Sequence, residues 1–280
     1  MGKKIIITAA LCGAGTTKKQ TEFVPVTPEE IASDAMACAK AGAAVIHFHA
    51  RDENGSNTME TDRFVQIIEH VREECAKANV DIVINVTTSG SKFPEDMRLA
   101  HLPILLPEMC SYDPGSMNWA NSYVFLNSPA FLERLGTLSQ ELVIKPELEI
   151  FDGGMMGNID YYFKKGFLKE TLHYQFVLGV PGGMEGNIDS LAFLLPKMHP
   201  GSTWSATGIG RTHIPVMLAA LAEDCDGVRV GLEDNIYFEK GVLATNVSLV
   251  ERAVKLSEVV GRSIATAPEA REILGLTKHV

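Results

Sequence analysis

Two histidines with one residue between them, His47 and His49, end an apolar run that begins at Ala43. The run predicts a buried strand. Because side chains alternate along a strand, both imidazoles point to one face, with Cα atoms roughly 7 Å apart. Two imidazoles placed in this way can bind a single metal ion. The alternative is that they are hydrogen-bonded polar residues at the end of a strand.

A second group of candidate residues, the acidic pair Glu233 and Asp234, directly follows the apolar run 228–232. If this run is the last strand of a closed barrel, Glu233 can reach His47 and His49 across the first strand. Two histidines and one glutamate around an open position are typical of catalytic zinc, although iron and manganese also accept such ligands. The alternative for the acidic pair is a solvated loop.

Arg229 is a charged residue within this otherwise apolar strand, on the same face as Glu233. A charge buried in a barrel strand normally has a partner of opposite charge. Asp234 is the predicted partner, because Glu233 is already assigned to the metal.

Other predicted strands also end in polar residues. Thr87 and Gly90 belong to a loop that offers hydroxyls and amides, Ser111 ends the fourth strand, and the fifth carries Glu147 and Glu149 on one face. Hydroxyls and loop amides suit a carboxylate or enolate oxygen, but they are also ordinary turn chemistry. Their shared position at one end of the strands favours a site.

These residues are positioned by apolar strand-like runs that alternate with helical patterns along the chain, which predicts a parallel sheet. Eight repeats most economically close into a (β/α)8 TIM barrel, as one domain over residues 1–280. A doubly wound open sheet is disfavoured because no Gly-x-Gly-x-x-Gly follows the first strand. The predicted strands are 5–9, 44–49, 82–86, 106–111, 148–151, 175–178, 203–206 and 228–230. The predicted helices are 28–40, 61–78, one starting near Pro94, 154–166, 188–198, 213–223 and 246–260, and an insertion at 112–128 follows strand four.

Composition limits the class of protein. A net charge of −10 gives no basic face for nucleic acid and no attraction to an anionic membrane. The five cysteines show no Cys-x-x-Cys spacing, which indicates reduced thiols and a cytoplasmic location. The apolar run at 5–11 leads into a glycine-rich loop rather than a cleavage site, so it predicts a first strand rather than a signal peptide.

Five stretches of the sequence together resemble the β-keto acid cleavage enzyme family over nearly the full length. They are VIHFHARD at 45–52, NVTTSG at 85–90, PEMCSYDPGSMNW at 107–119, KPELEIFD at 145–152 and VRVGLEDN at 228–235. The resemblance implies a zinc-dependent C-acyltransferase that combines a β-keto acid with acetyl-CoA and releases acetoacetate and a new CoA ester. It also implies a homotetramer.

The resemblance also implies roles for particular residues. The zinc ligands would be His47, His49 and Glu233, and the substrate would contact Thr87, Gly90 and Ser111. Arg229 would orient Asp234 as the general base and keep its pKa low. Glu147 would be the acid of strand five, with Glu149 as the alternative. The glycine-rich segments 179–186 and 208–211 would either admit the CoA phosphates or form tight turns.

The sequence departs from the family at two positions. The type of this family that acts on 3-keto-5-aminohexanoate has a glutamate that holds the substrate amine, near the position where this chain has Gly15. Ser89 stands where glycine is common in the family. A neutral or acidic β-keto acid is therefore the predicted substrate. The remaining alternatives are another metal-dependent barrel enzyme, such as an amidohydrolase or a class II aldolase, and a non-catalytic ligand-binding barrel. An amidohydrolase would carry its His-x-His on strand one, and the histidines an aldolase would need, His199 and His213, fall in helix or loop positions.

Overall fold

The structure is a computed structural model that describes residues 2–278. Eight parallel strands close into a barrel with helices between them, which confirms the predicted fold class. The barrel strands are β1 Ile6–Ala10, β2 Val45–Phe48, β3 Val83–Val86, β4 Met109–Tyr112, β5 Lys145–Ile150, β6 His173–Leu178, β7 Thr203–Gly208 and β8 Gly227–Val230. Strand β8 pairs with β1, with Thr8 opposite Arg229, and this pairing closes the barrel.

The helices pack around the outside of the barrel. They are α1 Pro28–Ala41, α2 Thr61–Ala78, α3 Glu95–Leu99, α4 Leu102–Leu105, α5 Pro129–Glu141, α6 Gly153–Lys164, α7 Ile188–Leu194, α8 His213–Ala222, α9 Asn246–Val259 and α10 Ala267–Leu274. Local sequence defines their ends: Thr27 caps α1 by accepting from the Glu30 amide, and Gly42 ends it in the left-handed region. Among residues 2–278, no helix combines the length and apolar character needed to cross a membrane.

The structure differs from the sequence-based elements in several places. Helices α5 and α10 were not predicted, and β4 starts at Met109 because Leu102–Leu105 form a short helix that ends at Leu106 with φ 45°. The predicted insertion is a hairpin of Met117–Trp119 and Tyr123–Phe125. Two further hairpins, which the sequence did not indicate, pair Ala50–Arg51 with Asn57–Thr58 and Tyr237–Glu239 with Val242–Leu243.

The apolar core lies between the barrel strands and the helices, where for example Phe48 of β2 packs against Phe64 of α2. Most of the inside of the barrel is polar, whereas branched apolar side chains usually fill it. At the end covered by α10 the inward-facing residues are apolar, and Ile6, Val45, Val83 and Met109 cluster there with Leu274. The polar residues that alternate with the core-facing ones are at most 5% exposed, and they are Thr8, His47, Asn85, Ser111, Glu147, Glu149, His173, Gln175, Ser205, Thr207 and Arg229. Burial of so many polar groups along one axis marks the barrel interior as the place to look for chemistry.

Candidate active site

The structure brings His47, His49 and Glu233 together, as the closed barrel predicted. One nitrogen or oxygen atom from each residue lies within 4.8 Å of the other two. Nε2 of His47 is 3.7 Å from Oε2 of Glu233, and Nε2 of His49 is 3.3 Å from Oε1. His47 pairs with Ala10 of β1, whose carbonyl accepts from the Glu233 amide, so β1 separates the histidines from the glutamate as expected.

The protonation states of His47 and Glu233 suit metal binding. Burial lowers the pKa of His47 to about 3, so its imidazole is neutral at pH 7. Burial alone would raise the pKa of Glu233, but Arg229 and the two histidines hold it well below its usual range. Neutral imidazoles and an ionised carboxylate are the forms that bind zinc. Oε2 of Glu233 is buried and has no hydrogen-bond partner within residues 2–278, so the donor set fits a cation.

A glycine allows Glu233 to occupy this position. Gly13 has φ 58°, and a Cβ atom there would lie 2.6 Å from Cγ of Glu233. The loops after β1 and β8 are also joined by Thr16, whose hydroxyl donates to the Leu232 carbonyl at 2.9 Å. The first loop therefore packs directly against the acidic residue and limits its movement.

Arg229 contacts three carboxylates rather than the single one predicted. Its Nε and Nη2 atoms donate to the two oxygens of Asp234 at 2.9 and 3.1 Å. Nη2 also donates to Glu233 at 2.8 Å, and Nη1 donates to Glu149 at 2.6 Å. Asp234 is thus its bidentate partner, but the assignment of Glu233 to the metal alone was too narrow. One guanidinium orients the candidate base and the candidate metal ligand together.

The expectation for the pKa of Asp234 is met only in part, because Arg229 lowers this pKa but burial outweighs it. Burial raises the pKa of Asp234 above its usual value, and the charge of Arg229 opposes this increase without overcoming it. The oxygen that Arg229 Nε contacts also accepts from the Thr207 hydroxyl at 3.2 Å. A carboxylate whose pKa lies nearer to neutral is the stronger base, so the raised pKa of Asp234 favours a role in proton transfer.

The two acidic residues of β5 have different partners. Glu149, the alternative in the sequence analysis, contacts Arg229, whereas Glu147 lies deeper in the barrel and accepts from Nδ2 of Asn85 at 2.6 Å. Burial raises the pKa of Glu149 well above its usual range; Arg229 opposes this and the carboxylate of Asp113 adds to it. The sequence therefore identified the strand that carries the acidic residues, but not which of Glu147 and Glu149 lies at the level of Arg229 in the barrel.

Sequence reasoning missed Asp113, which is buried at the end of β4 and accepts from the Ser89 hydroxyl at 2.6 Å. A usable signal existed, because Asp113 stands two residues after Ser111 and so continues the same face of the chain. Asn85 was also given no role, because it stands alone among apolar residues in β3, and Thr207 was given none because it lies one residue beyond the predicted end of strand seven.

The residues predicted to contact substrate lie in one buried loop cluster. Ser111 accepts from the Thr88 amide at 2.9 Å, and Thr87 accepts from the Ser89 amide at 2.9 Å. Gly90 is required for close packing, because a Cβ atom there would lie 2.7 Å from Met59.

Arg98 also holds this cluster in place. Its Nε donates to the Thr88 carbonyl at 2.8 Å, and its Nη2 donates to the Asn127 side chain at 2.6 Å. Ser111 and Arg98 therefore both hold the loop after β3 through the Thr88 backbone.

The glycine-rich segment 179–186 is packed as a tight turn, which was one of the two interpretations left open. A Cβ atom on Gly182 would lie 1.9 Å from the Asn118 carbonyl, and one on Gly183 would lie 2.5 Å from the Phe151 carbonyl. Gly208 approaches Thr212 in the same way, at 2.3 Å. These glycines are explained by packing alone.

The chain is similar to known proteins over nearly its whole length. Residues 4–276 match the family described as BKACE: beta-keto acid cleavage enzyme. The chain is 42% identical to a 3-keto-5-aminohexanoate cleavage enzyme of Fusobacterium nucleatum, over 99% of this chain and 100% of that protein. It is 35% identical to a 3-dehydrocarnitine:acetyl-CoA trimethylamine transferase of Rhizobium meliloti, over 100% of this chain and 99% of the relative. The structure of apo ObcA has the same fold, with a TM-score of 0.77 at 22% identity, over 91% of this chain and 66% of that one.

Proposed function

The chain belongs to the beta-keto acid cleavage enzyme family, and from this premise we propose that it is a zinc-dependent C-acyltransferase. In the proposed reaction a β-keto acid and acetyl-CoA give acetoacetate and a new acyl-CoA. The bond between the keto carbon and the α-carbon breaks, the α-carbon bonds to the acetyl group, and the CoA sulfur takes the remaining acyl group. The observation that carries the proposal is the His47, His49 and Glu233 cluster joined to Asp234 through Arg229.

Asp234 is the proposed general base. Its raised pKa brings it nearer to the range in which a carboxylate removes a proton efficiently at neutral pH. Arg229 and Thr207 hold one of its oxygens from two directions, so the carboxylate cannot rotate freely. Glu149 fixes the far end of Arg229, and so it positions the base indirectly.

His47, His49 and Glu233 would hold the metal through two nitrogens and one carboxylate oxygen. When bound, zinc would withdraw charge from the keto and carboxylate oxygens of a chelating substrate. Arg229 keeps Glu233 ionised, and burial keeps His47 neutral, so both residues are ready to act as ligands.

The loop after β3 and the end of β4 form the proposed substrate contacts. Ser111 accepts from the Thr88 amide, and the Thr88 hydroxyl, 3.4 Å away, is a weak partner for the Ser111 hydroxyl hydrogen, so this hydrogen can turn to a substrate oxygen. The Thr87 hydroxyl likewise accepts from the Ser89 amide, and its own hydrogen can point to the substrate. Together with Gly90, these groups suit the oxygens of a β-keto acid.

The proposed enzyme is a homotetramer, as the family resemblance implies, and is cytoplasmic, as the cysteine pattern indicates. Apolar side chains on and next to the hairpin after β4 support a subunit contact, because Tyr123 is 39%, Val124 is 60% and Leu126 is 49% exposed. All five cysteines are free, in keeping with a reducing compartment.

Metal content is the first test of this function. Elemental mass spectrometry of protein purified without added metal should find about one zinc per chain, and the zinc-loaded protein should consume acetyl-CoA in the presence of a β-keto acid. The variant Glu233→Gln should bind zinc weakly and serve as the control. Iron or manganese in place of zinc would preserve the site and change the metal assignment. A folded protein that takes up no metal on titration would refute the proposal.

The substrate is expected to be a neutral or acidic β-keto acid. Gly15 is exposed and has no neighbour within 4 Å of its Cβ position, so nothing there holds a substrate amine. In a panel of β-keto acids assayed with acetyl-CoA, unaminated compounds should show the higher kcat/KM. The variant Gly15→Glu should improve turnover of an aminated compound, since the new side chain has room. Preference of the unchanged protein for the aminated compound would contradict the expectation.

A further inference from the structure

Asn85 and Glu147 form a hydrogen-bonded pair deep in the barrel, next to the candidate metal site. Nδ2 of Asn85 donates to Oε2 of Glu147 at 2.6 Å, and the two residues are 0% and 1% exposed. A side-chain amide has a donor end and an acceptor end, and Glu147 occupies the donor end. The oxygen of Asn85 must therefore face away from Glu147.

On that other side lies His47. Strands β2 and β3 pair His47 directly with Asn85, so both side chains leave the sheet at the same level and on the same face. Nδ1 of His47 and Oδ1 of Asn85 are both buried, and neither makes a hydrogen bond within residues 2–278, with each other or with another group. Pairing the two atoms would satisfy both. Asn85 also lies close enough to counteract part of the decrease in the pKa of His47 that burial causes.

A neutral imidazole carries one hydrogen, and its position decides which nitrogen can bind a metal. The opposite nitrogen of His47, Nε2, faces Glu233. We propose that Glu147 and Asn85 are positioning residues that fix the tautomer of His47, placing its hydrogen on Nδ1 and the free lone pair on Nε2. This inference rests on the metal site of the proposed function, and it gives Glu147 a role separate from that of Glu149.

A second layer of contacts keeps Glu147 in place. Oε1 of Glu147 is 4.0 Å from Nε2 of His173, and the other ring nitrogen of His173 is 2.9 Å from the Thr203 hydroxyl. Burial lowers the pKa of His173 to about 3, so it is neutral and does not compete as a cation for Glu147. Asn85 thus remains the group that directly donates to the carboxylate.

Substitutions at Glu147 separate an acceptor role from a charge role. Glu147→Met removes the acceptor with similar shape, so the Asn85 amide can turn its NH2 group towards His47 and favour the wrong tautomer. Glu147→Gln keeps an oxygen that accepts from Asn85. In the metal-free protein, 15N chemical shifts of the His47 ring should show the Nδ1–H form in the wild type and Glu147→Gln, and a mixture in Glu147→Met.

Zinc affinity, measured by competition with a chelator, gives a second readout that does not depend on activity. Glu147→Met should bind zinc about 10- to 100-fold more weakly than the wild type, the usual effect of losing a residue that orients a ligand. Glu147→Gln should stay within a few-fold. Ser205→Ala is the matched control, because Ser205 contacts His173 and Gln175 in the same layer but not Asn85, and it should bind zinc normally.

The double variant Asn85→Asp with Glu147→Gln provides a folded test if Glu147→Met proves unstable. There the glutamine donates to the new carboxylate, which accepts from Nδ1–H of His47, so the tautomer and zinc affinity should be retained. The proposal would be overturned if Glu147→Met kept the His47 tautomer and the zinc affinity of the wild type. It would also be overturned if the Met and Gln variants lost zinc affinity equally, or if the double variant lost it. If the wild type binds no zinc while its ring shows the Nδ1–H form, the metal assignment fails and the positioning pair stands.

Discussion

Replacement of Asp234 by asparagine (Asp234→Asn) is expected to lower kcat/KM by about 10²- to 10⁴-fold, the usual contribution of a positioned general base. Asparagine keeps the shape of the side chain and one oxygen for Arg229, but it cannot take up a proton. Because Asp234 is not among the three clustered side chains proposed to hold the metal, the zinc content and the chelator-competition affinity should stay near those of the wild type. Steady-state kinetics with acetyl-CoA and a β-keto acid measure the effect.

Thr207→Val is the control for Asp234→Asn. It removes one hydrogen bond to the same carboxylate, at 3.2 Å, without changing the base itself, and it should lower kcat/KM far less. Full activity in Asp234→Asn would assign proton transfer to another group. A non-catalytic barrel would show ligand binding and no turnover in any of these variants, so the same experiment excludes that alternative when turnover is found.

Replacement of Arg229 by methionine (Arg229→Met) is expected to reduce the free energy of unfolding by about 3–5 kcal/mol, the usual result of removing one partner of a buried ion pair. Arg229 is 4% exposed and is the guanidinium that Asp234, Glu149 and Glu233 share. Methionine fills similar space but leaves these carboxylates buried without a cation. Urea unfolding of the metal-free protein, followed by circular dichroism, measures the loss.

The loss in Arg229→Met should depend on pH. Burial already raises the pKa of Glu149 in the folded protein, and without Arg229 that pKa rises further. A carboxyl group with a raised folded-state pKa stabilises the fold at pH values below its unfolded pKa, and this stabilisation is lost as pH rises through the folded pKa. The deficit of the variant should therefore be largest near pH 7 and shrink as the pH falls towards about 4, near the unfolded pKa of glutamate.

Arg98→Met is the matched control for this pH dependence. Arg98 is as deeply buried, but its hydrogen bonds go to neutral groups, the Thr88 and Leu126 carbonyls and the Asn127 side chain. No carboxylate loses a hydrogen-bonded cation when Arg98 is removed. The loss of unfolding free energy in Arg98→Met should therefore change little between about pH 4 and pH 7. A deficit in Arg229→Met that is equally independent of pH would contradict the electrostatic explanation.

The sequence predicted the candidate metal cluster because two simple rules determine it. Alternation along a strand places His47 and His49 on one face, and barrel closure brings Glu233 to them across β1. The same rules could not separate Glu147 from Glu149, since both face inward. Which of them meets Arg229 depends on the stagger between strands, and stagger is a property of the whole closed sheet.

The features that were missed or misplaced have different physical causes. Strand β5 was predicted to begin only at residue 148, because Lys145 and Pro146 at its start do not belong to an apolar run. Glu147 nevertheless lies in this strand. The hairpin strands are two or three residues long, too short for a periodic pattern. The raised pKa of Asp234 was missed because it depends on burial, and a charged neighbour in the sequence indicates only the opposing effect.

The polar interior of the barrel has a consequence for how this chain can change over time. Along β2, Ile46 and Phe48 belong to the apolar core, while His47, between them, belongs to the site. Folding and chemistry are thus assigned to alternate positions of the same strands, and a substitution in one set leaves the other largely intact. Such a chain can acquire new substrates by exchange of inward-facing residues while the apolar core is kept. Arg229 is an exception, because its charge both positions the site residues and stabilises the fold.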